Sequence, residues 1–528
     1  MSQVKRSRGG NALAEAVKRL YAAGQTDYSL EPLVRLDAAG QPEGRIADGD
    51  SVIFCCRRGE REVELTEAFT QPDFPHFARP KLDRLTFVIL TLYHEKFKDL
   101  PVAFAPSMIP DTLGETLSRA GLSQFRTAES EKFAHITFFL NGGNNQPFSS
   151  ETDVRIPSPR GVPMDSVPAL SLPAVADQVL GALAEGYDLV LTNFANGDVI
   201  GHTANAAAKV ACAEVVDEHL GRVVQAALAA GYVVMVTADH GNLEVMLTPE
   251  GAPHVAHTTN LVPFIVIDPR TSQSLPVQDG ALCDIAPTML KAMGVPQPAA
   301  MTGASRLPDY DWGGQRKVLL VILDGWGLGE LDETNPIHLA HTPFWDRLTA
   351  DYPPARLQAS GEAVGLQPGK AGNSEAGHMN IGAGRVVPQD DVRLDQAMQD
   401  GAFETNPVFL SAIRQAKARG ASLHLLALLT EKSSHGSIDY PLAILRMAKA
   451  EGMDRVYVHV IFDGRSTEPG SAPELLVKLD RLMDDIGVGL IVDGVGRGIA
   501  LDRDGNYGKI QRTFDALVHG KGITYTEA

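Results

Sequence analysis

A chain of 528 residues with a formal charge of −18 is poorly suited to nucleic acid or an anionic membrane, since its own field repels both. At 56.6 kDa it is too long for one ordinary core and implies two domains, or three. Apolar residues make up 44% and charged residues 21%, as in soluble globular proteins, and no stretch has the ~20 apolar residues of a membrane span. The four cysteines, Cys55, Cys56, Cys212 and Cys283, show neither metal-binding nor disulfide spacing and predict a reducing, cytoplasmic setting. The opening residues are basic but no apolar run follows, so no secretion signal is expected.

Residues 11–23 predict an amphipathic helix. Residues 51–56 read as a strand running into Arg57, Arg58, Gly59, Glu60 and Arg61. Arg58 and Arg61 either offer planar donor forks to a phosphate or carboxylate or form a solvated basic turn. Residues 85–93 and 102–105 read as strands alternating with helical stretches, the habit of α/β units. A short helix is expected over 112–120 and a strand over 134–140. Just before that strand, Glu131 and Lys132 are either a surface pair or a device that aims an ammonium at a transferring phosphoryl group. Residues 149–169, rich in Ser, Pro and Asp, predict a long ordered loop.

Residues 187–194 predict a strand, followed by Asp198 and His202, which share one face if the segment is helical. A long helix is expected over 204–230. Residues 232–242 read Tyr-Val-Val-Met-Val-Thr-Ala-Asp-His-Gly-Asn, a buried parallel strand that delivers Asp239 and His240 at its carboxyl end. Open α/β sheets bind ligands at that end. His257 precedes another strand, 262–267, and residues 284–293 predict a helix. Residues 303–316, with Pro308, Gly313 and Gly314, read as a linker. The apolar stretch 317–323 then ends in Asp324, repeating the device of Asp239. Ser374 stands alone among glycines over 372–384. It is either part of a structural glycine-rich loop or a nucleophile at a helix start, where free N–H groups face a phosphate. Strands at 422–429, 456–462 and 489–492 lead to His435, to Asp463 with Arg465 and Ser466, and to Arg497 and Arg503. With Arg58 and Arg61 these would form one cationic pocket for an acidic metabolite.

Oxygen and nitrogen donors without cysteine suit manganese, magnesium, zinc or a similar divalent ion. Two ligand sets follow: Asp198, His202 and His257 for one ion, and Asp239, His240 and Asp324, with Ser374 Oγ, for the other. Paired ions about 3.5–4 Å apart clamp phosphoryl oxygens and lower an alkoxide pKa, the activation that a base supplies elsewhere.

Five motifs carry a resemblance: Asp324-Gly325-Trp326-Gly327, Gly372-Asn373-Ser374-Glu375-Ala376-Gly377-His378, Asn196-Gly197-Asp198 with Gly201-His202-Thr203, Thr237-Ala238-Asp239-His240-Gly241-Asn242, and His257-Thr258-Thr259. Together they resemble the cofactor-independent phosphoglycerate mutase family of the alkaline-phosphatase-like metalloenzymes. The resemblance implies an α/β fold of two domains, an alkaline-phosphatase-like α/β sandwich and a second α/β substrate-binding domain. It implies two divalent ions, manganese foremost, with magnesium, zinc or cobalt as alternatives. It implies that Ser374 is phosphorylated, that Lys132 assists, and that the chain is a monomer acting on a small phosphorylated hydroxy acid, 2- or 3-phosphoglycerate. The pocket would hold His435 and Asp463 among the catalytic groups, and Arg58, Arg61, Arg465, Ser466, Arg497 and Arg503 as substrate contacts.

Two departures from the family stand out. The Asp-Gly-Trp-Gly strand opens the family's proteins but begins here after residue 316, which implies a circular permutation with 303–316 joining the ancestral ends. The metal domain would then span 108–388, the substrate domain 1–107 and 389–528, and residues near Ser2 and Ala528 would be neighbours. The second departure is in the pocket: Ser466 replaces the second Asp of the family's Asp-Gly-Arg-Asp, and the loop 430–435 is rebuilt. Two further readings therefore stand beside the mutase: a diverged mutase or phosphatase for a related phosphorylated or phosphonylated acid, and a non-catalytic metal-binding protein.

Overall fold

The computed structural model describes residues 7–57, 61–106, 108–431, 433 and 435–527. The chain forms two compact units, one from Met1–Pro106 with Arg393–Ala528 and one from the continuous stretch Ser107–Val392. The strands of the first stretch are β1 (Leu33–Arg35), β2 (Ser51–Phe54), β3 (Thr86–Thr91) and β4 (Val102–Phe104). The continuous unit holds β5 (Gln124–Glu129), β6 (Glu151–Ile156), β7 (Leu189–Phe194), β8 (Val233–Thr237), β9 (Val262–Ile267), β10 (Gly280–Ala281), β11 (Val318–Leu323) and β12 (Ala355–Gln358). The last stretch adds β13 (Leu423–Leu429), β14 (Val456–Phe462), β15 (Leu490–Gly496) and β16 (Ile523–Tyr525).

In the continuous unit the described residues form one eight-stranded sheet in the order β10-β12-β9-β8-β11-β7-β5-β6. Its middle, β8, β11, β7 and β5, is parallel throughout, whereas β9 runs antiparallel to β8. Every residue of β7, β8 and β11 is buried. That explains their unbroken apolar runs, since strands covered on both faces show no alternation. The helices Leu172–Glu185 and Ala206–Ala229 pack together and against β5, β7 and β8, while Ser374–Ala383 packs with Ile285–Ala292 and with residues 135–139.

Two sequence expectations change here, and a third gains detail. Residues 134–140 do not form a strand, because His135–Phe139 is a π-helical turn. The strand lies earlier, in β5, and runs directly toward Lys132. Packing overrides the β-propensity of this segment: the Leu140 carbonyl lies so close to Gly382 of the neighbouring helix that any side chain there would clash. Residues 149–169 are not all loop, since β6 adds an edge strand parallel to β5. Its charged residues Glu151, Asp153 and Arg155 are what edge strands tolerate, and they mask the strand in the sequence. Residues 303–316 lack helix and strand but are firmly packed. Leu307 and Trp312 are buried in the core, and the Asp268 carboxylate accepts hydrogen bonds from Arg270, Tyr310 and Arg316.

The other unit forms a second eight-stranded sheet among the described residues, in the order β16-β1-β15-β14-β13-β2-β3-β4. Ser2 and Ala528 lie outside the described residues, but the segments beside them meet on this sheet. The Ile491 amide donates to the Arg8 carbonyl at 2.7 Å, the Arg35 guanidinium pairs with Glu527, and a side chain added at Gly9 would touch that same guanidinium.

A buried polar chain crosses the sheet. His424 Nε2 lies 3.1 Å from Asp50 Oδ2, His424 Nδ1 lies 2.9 Å from His459 Nε2, and His459 Nδ1 lies 2.6 Å from Asp493 Oδ2. Burial pushes the His424 imidazole down to about 4 despite Asp50, so it is neutral in the folded protein. Burial also works against the Asp50 carboxylate, but His424 and the Ser422 amide outweigh it and hold Asp50 below the usual range. A histidine depressed on folding stabilises above its ordinary value of 6.5 and loses that contribution as the pH falls toward about 4, because only the unfolded chain takes up the proton there. Urea midpoints should therefore decline across this window, and His424→Gln should flatten the decline. An unchanged pH slope in the variant would refute the assignment.

Candidate metal centre

Adjacent parallel strands bring their carboxyl ends to one edge of the sheet. Lys132 follows β5, Asp198 follows β7 on the short helix Asn196–Gly201, Asp324 follows β11, and Asp239 and His240 follow β8. Ser374 opens the helix Ser374–Ala383, whose start is capped by the Asn373 side chain accepting from the Ala376 amide at 2.8 Å. His257 comes from the segment before β9. Glycines allow the close approach: Gly377 lies against Asp239, and Gly325, at φ 73°, lies against Asp198. A side chain at either position would push against the backbone of the residue that carries the carboxylate.

Lys132 is the hub of the site. Its Nζ lies 2.7 Å from Asp198 Oδ2, 2.8 Å from Asp324 Oδ1 and 2.6 Å from Ser374 Oγ. The Ser374 hydroxyl also lies 3.2 Å from Asp324 Oδ1 and 3.0 Å from His240 Nε2. In the first basin His240 Nε2 is 3.5 Å from both Asp239 Oδ2 and Asp324 Oδ1. In the second, Asp198 Oδ1 is 3.0 Å from His257 Nε2 and 3.2 Å from His202 Nε2, and the two imidazole nitrogens are 3.0 Å apart.

Two clusters here can each hold an ion: Asp239, His240 and Asp324, and Asp198, His240 and His257. His240 faces both, and His202, half of its side chain exposed, stands at the rim of the second. The donors suit a divalent ion on three counts. Donors on one tetrahedral ion with bonds of about 2.0–2.2 Å lie ~3.4 Å apart, close to the spacings here. Asp239 Oδ2 is buried and has no hydrogen-bond partner among the described residues. The local field also calls for positive charge. Burial opposes the His240 imidazolium, but Asp239, Asp324 and Asp198 overcome it and push the group up to about 9. Burial likewise opposes the Lys132 ammonium, which the same carboxylates hold well above its ordinary range.

The remaining expected site residues lie in the other unit. Asp463 is buried and paired with Arg497. His435 Nδ1 lies 3.6 Å from Glu62 Oε1, and Arg61 donates to the Leu501 carbonyl at 3.2 Å. Arg465 sits over the Tyr28 ring, with Arg465, Ser466 and Arg503 all exposed. Arg58 lies outside the described residues. The sequence reading missed three participants. Glu62 is fully buried, neither oxygen has a hydrogen-bond partner among the described residues, and burial raises its pKa. In the sequence it looks like any acid in a charged turn. His378 and Asn193 border the metal basins. His378 could have been found from its spacing of four after Ser374, which shares a helical face, whereas Asn193 carries no sequence signal.

Parallel strands that converge oxygen and nitrogen donors on two adjoining basins, with one hydroxyl between them, define a metalloenzyme. A family model described as the metalloenzyme superfamily matches residues 20–297, more than half of the chain. The chain belongs to that superfamily. A second model, the BPG-independent PGAM N-terminus, matches residues 394–528. The 2,3-bisphosphoglycerate-independent phosphoglycerate mutase of Syntrophotalea carbinolica is 49% identical over 298 residues, 56% of this chain and 57% of that protein. The enzyme of the same name from Moorella thermoacetica is 45% identical over 294 residues, 55% of this chain and 56% of that protein. The chain thus covers little more than half the length of these relatives. A solved structure of Leishmania mexicana phosphoglycerate mutase at low cobalt concentration is 28% identical, with a TM-score of 0.41, over 51% of this chain and 52% of that one.

Metal removal tests the site directly. Chelated protein titrated with manganese by calorimetry should bind two ions per chain. Asp239→Asn should weaken one of them by at least about 100-fold and leave the other; two unaltered ions would count against the assignment.

Proposed function

We propose that this protein is a metal-dependent phosphomutase that interconverts 2- and 3-phosphoglycerate through a phosphoserine at Ser374. The observation that carries the reading is the Ser374 hydroxyl held between the Lys132 ammonium at 2.6 Å and the Asp324 carboxylate at 3.2 Å. That geometry orients the oxygen and gives its proton an acceptor. Attack on the ester forms the Oγ–P bond and breaks the bond from phosphorus to the substrate oxygen, which leaves as a hydroxyl once protonated. In the return half, the neighbouring hydroxyl of the acid attacks the phosphoserine and Ser374 recovers its proton. Divalent ions bound by the two carboxylate–histidine clusters, manganese first among the candidates, would neutralise phosphoryl charge and lower the Ser374 pKa. The pairs His435–Glu62 and Asp463–Arg497 are assigned to the acid part of the substrate, with Arg61 and Arg58 beside them and Arg465, Ser466 and Arg503 as outer contacts. A cytoplasmic location accords with four free, buried cysteines.

A second reading, action on a related phosphorylated or phosphonylated hydroxy acid, is favoured by Ser466, which has no carboxylate to offer a substrate or a proton. An assay of phosphoglycerate interconversion with manganese tests both readings. The wild type should be active and Ser374→Ala should lose on the order of 10^4-fold or more. Turnover of another acid with phosphoglycerate ignored would favour the second reading, and full activity in the variant would refute the phosphoserine.

We also infer a circular permutation. Its support is the match of a family N-terminus to residues 394–528, behind the superfamily match to 20–297. The convergence of Gly9 and Glu527 on Arg35 adds to it. A chain opened between Gly303 and Arg316 and joined across its present ends should fold and keep the Ser374-dependent activity. Failure to fold would argue against the ancestral order.

A further inference from the structure

Behind the metal basins lies a pair of side chains that the mechanism above does not use. Asn193, on β7, and His378, on the helix that Ser374 opens, are both fully buried. His378 Nδ1 is 2.8 Å from the Ser374 carbonyl oxygen and 3.3 Å from Asp239 Oδ2. Both neighbours can only accept, so Nδ1 carries the hydrogen and Nε2 is left as an acceptor. Asn193 Nδ2 lies 3.0 Å from that Nε2 and 2.7 Å from Asp324 Oδ2. One amide group thus spends both its hydrogens, one on the imidazole and one on the carboxylate. The Asn193 carbonyl oxygen has no hydrogen-bond partner among the described residues. A flipped amide would set that oxygen against Asp324, so the orientation is fixed by charge. The result is a hydrogen-bonded strap, Asp324–Asn193–His378–Ser374 backbone, whose imidazole end also lies 3.3 Å from Asp239 Oδ2.

We propose that Asn193 and His378 are positioning residues that fix the Asp239 and Asp324 carboxylates, and the backbone of Ser374, for a divalent cation. This rests on the reading of the site as a metal centre. The Asp198 and His257 side of the centre receives nothing from the strap, so the two basins should respond unequally when it is cut. Partners of this kind that hold metal ligands change affinity by about 10–100-fold.

The test is manganese titration of chelated full-length protein by calorimetry and by electron paramagnetic resonance, with thermal melting of the metal-free protein alongside. His378→Leu and Asn193→Leu should each lower affinity at one of the two sites by about 10–100-fold and leave the other within twofold. His378→Asn, which keeps a donor near the Nδ1 position, should recover much of the loss. Equal weakening of both sites in proportion to a lower melting temperature would mean a packing role and overturn the proposal, as would wild-type binding in all variants. If His378→Leu does not fold, Asn193→Ser carries the same comparison. A wild type that binds no divalent ion would remove the metal centre and this inference together, whereas normal metal binding without mutase activity would leave the strap standing and the function in question.

Discussion

The Lys132 ammonium is the contact on which the metal-bearing unit depends. Asp198, Asp239 and Asp324 lie in two adjoining buried basins, where like charges cannot accumulate without a counter-charge. Lys132 lies within 2.8 Å of two of them and of the Ser374 hydroxyl, so one cation ties three remote stretches of chain together. Removing one partner of a buried pair costs about 3–5 kcal/mol, because the remaining charge is stranded. That cost explains why four adjacent strands must end in register, and why Gly377 and Gly325 stand where the backbone of Asp239 and Asp198 comes closest.

Much of this could be read from the sequence because it depends on short-range grammar. An apolar run that stops at an acid marks a buried parallel strand and the point where it delivers its ligand, and β8 and β11 both show it. The spacing of Asp198 and His202 is equally local. What could not be read depends on tertiary context. The segment 134–140 has strand-like residues but is compacted into a π-turn by the helix against it. The strand β6 carries the charges of an edge and so resembles loop. Glu62 and Asn193 matter only through the company they keep, which no spacing encodes. His240 was assigned to one ion set, yet its ring stands 4.0 Å from that of His257 and faces both basins.

The other unit treats charge differently. Among the described residues Arg497 is paired with Asp463, and His435 lies beside Glu62. Pairing of this kind keeps buried cations from repelling each other and holds their donors in fixed directions. It leaves Arg465, Ser466 and Arg503 exposed.

The seam at Arg35 bears on how the molecule is made. β1 pairs with β15 and β16, so a strand formed from residues 33–35 finds its neighbours only after residue 525 has been synthesised. The metal-bearing unit, continuous from Ser107 to Val392, can fold on the ribosome as it emerges. At about 5–20 residues per second, the early strands wait on the order of tens of seconds with open edges. Translation speed and chaperone supply, more than the equilibrium stability of the finished sheet, would then govern the yield of this protein in a cell.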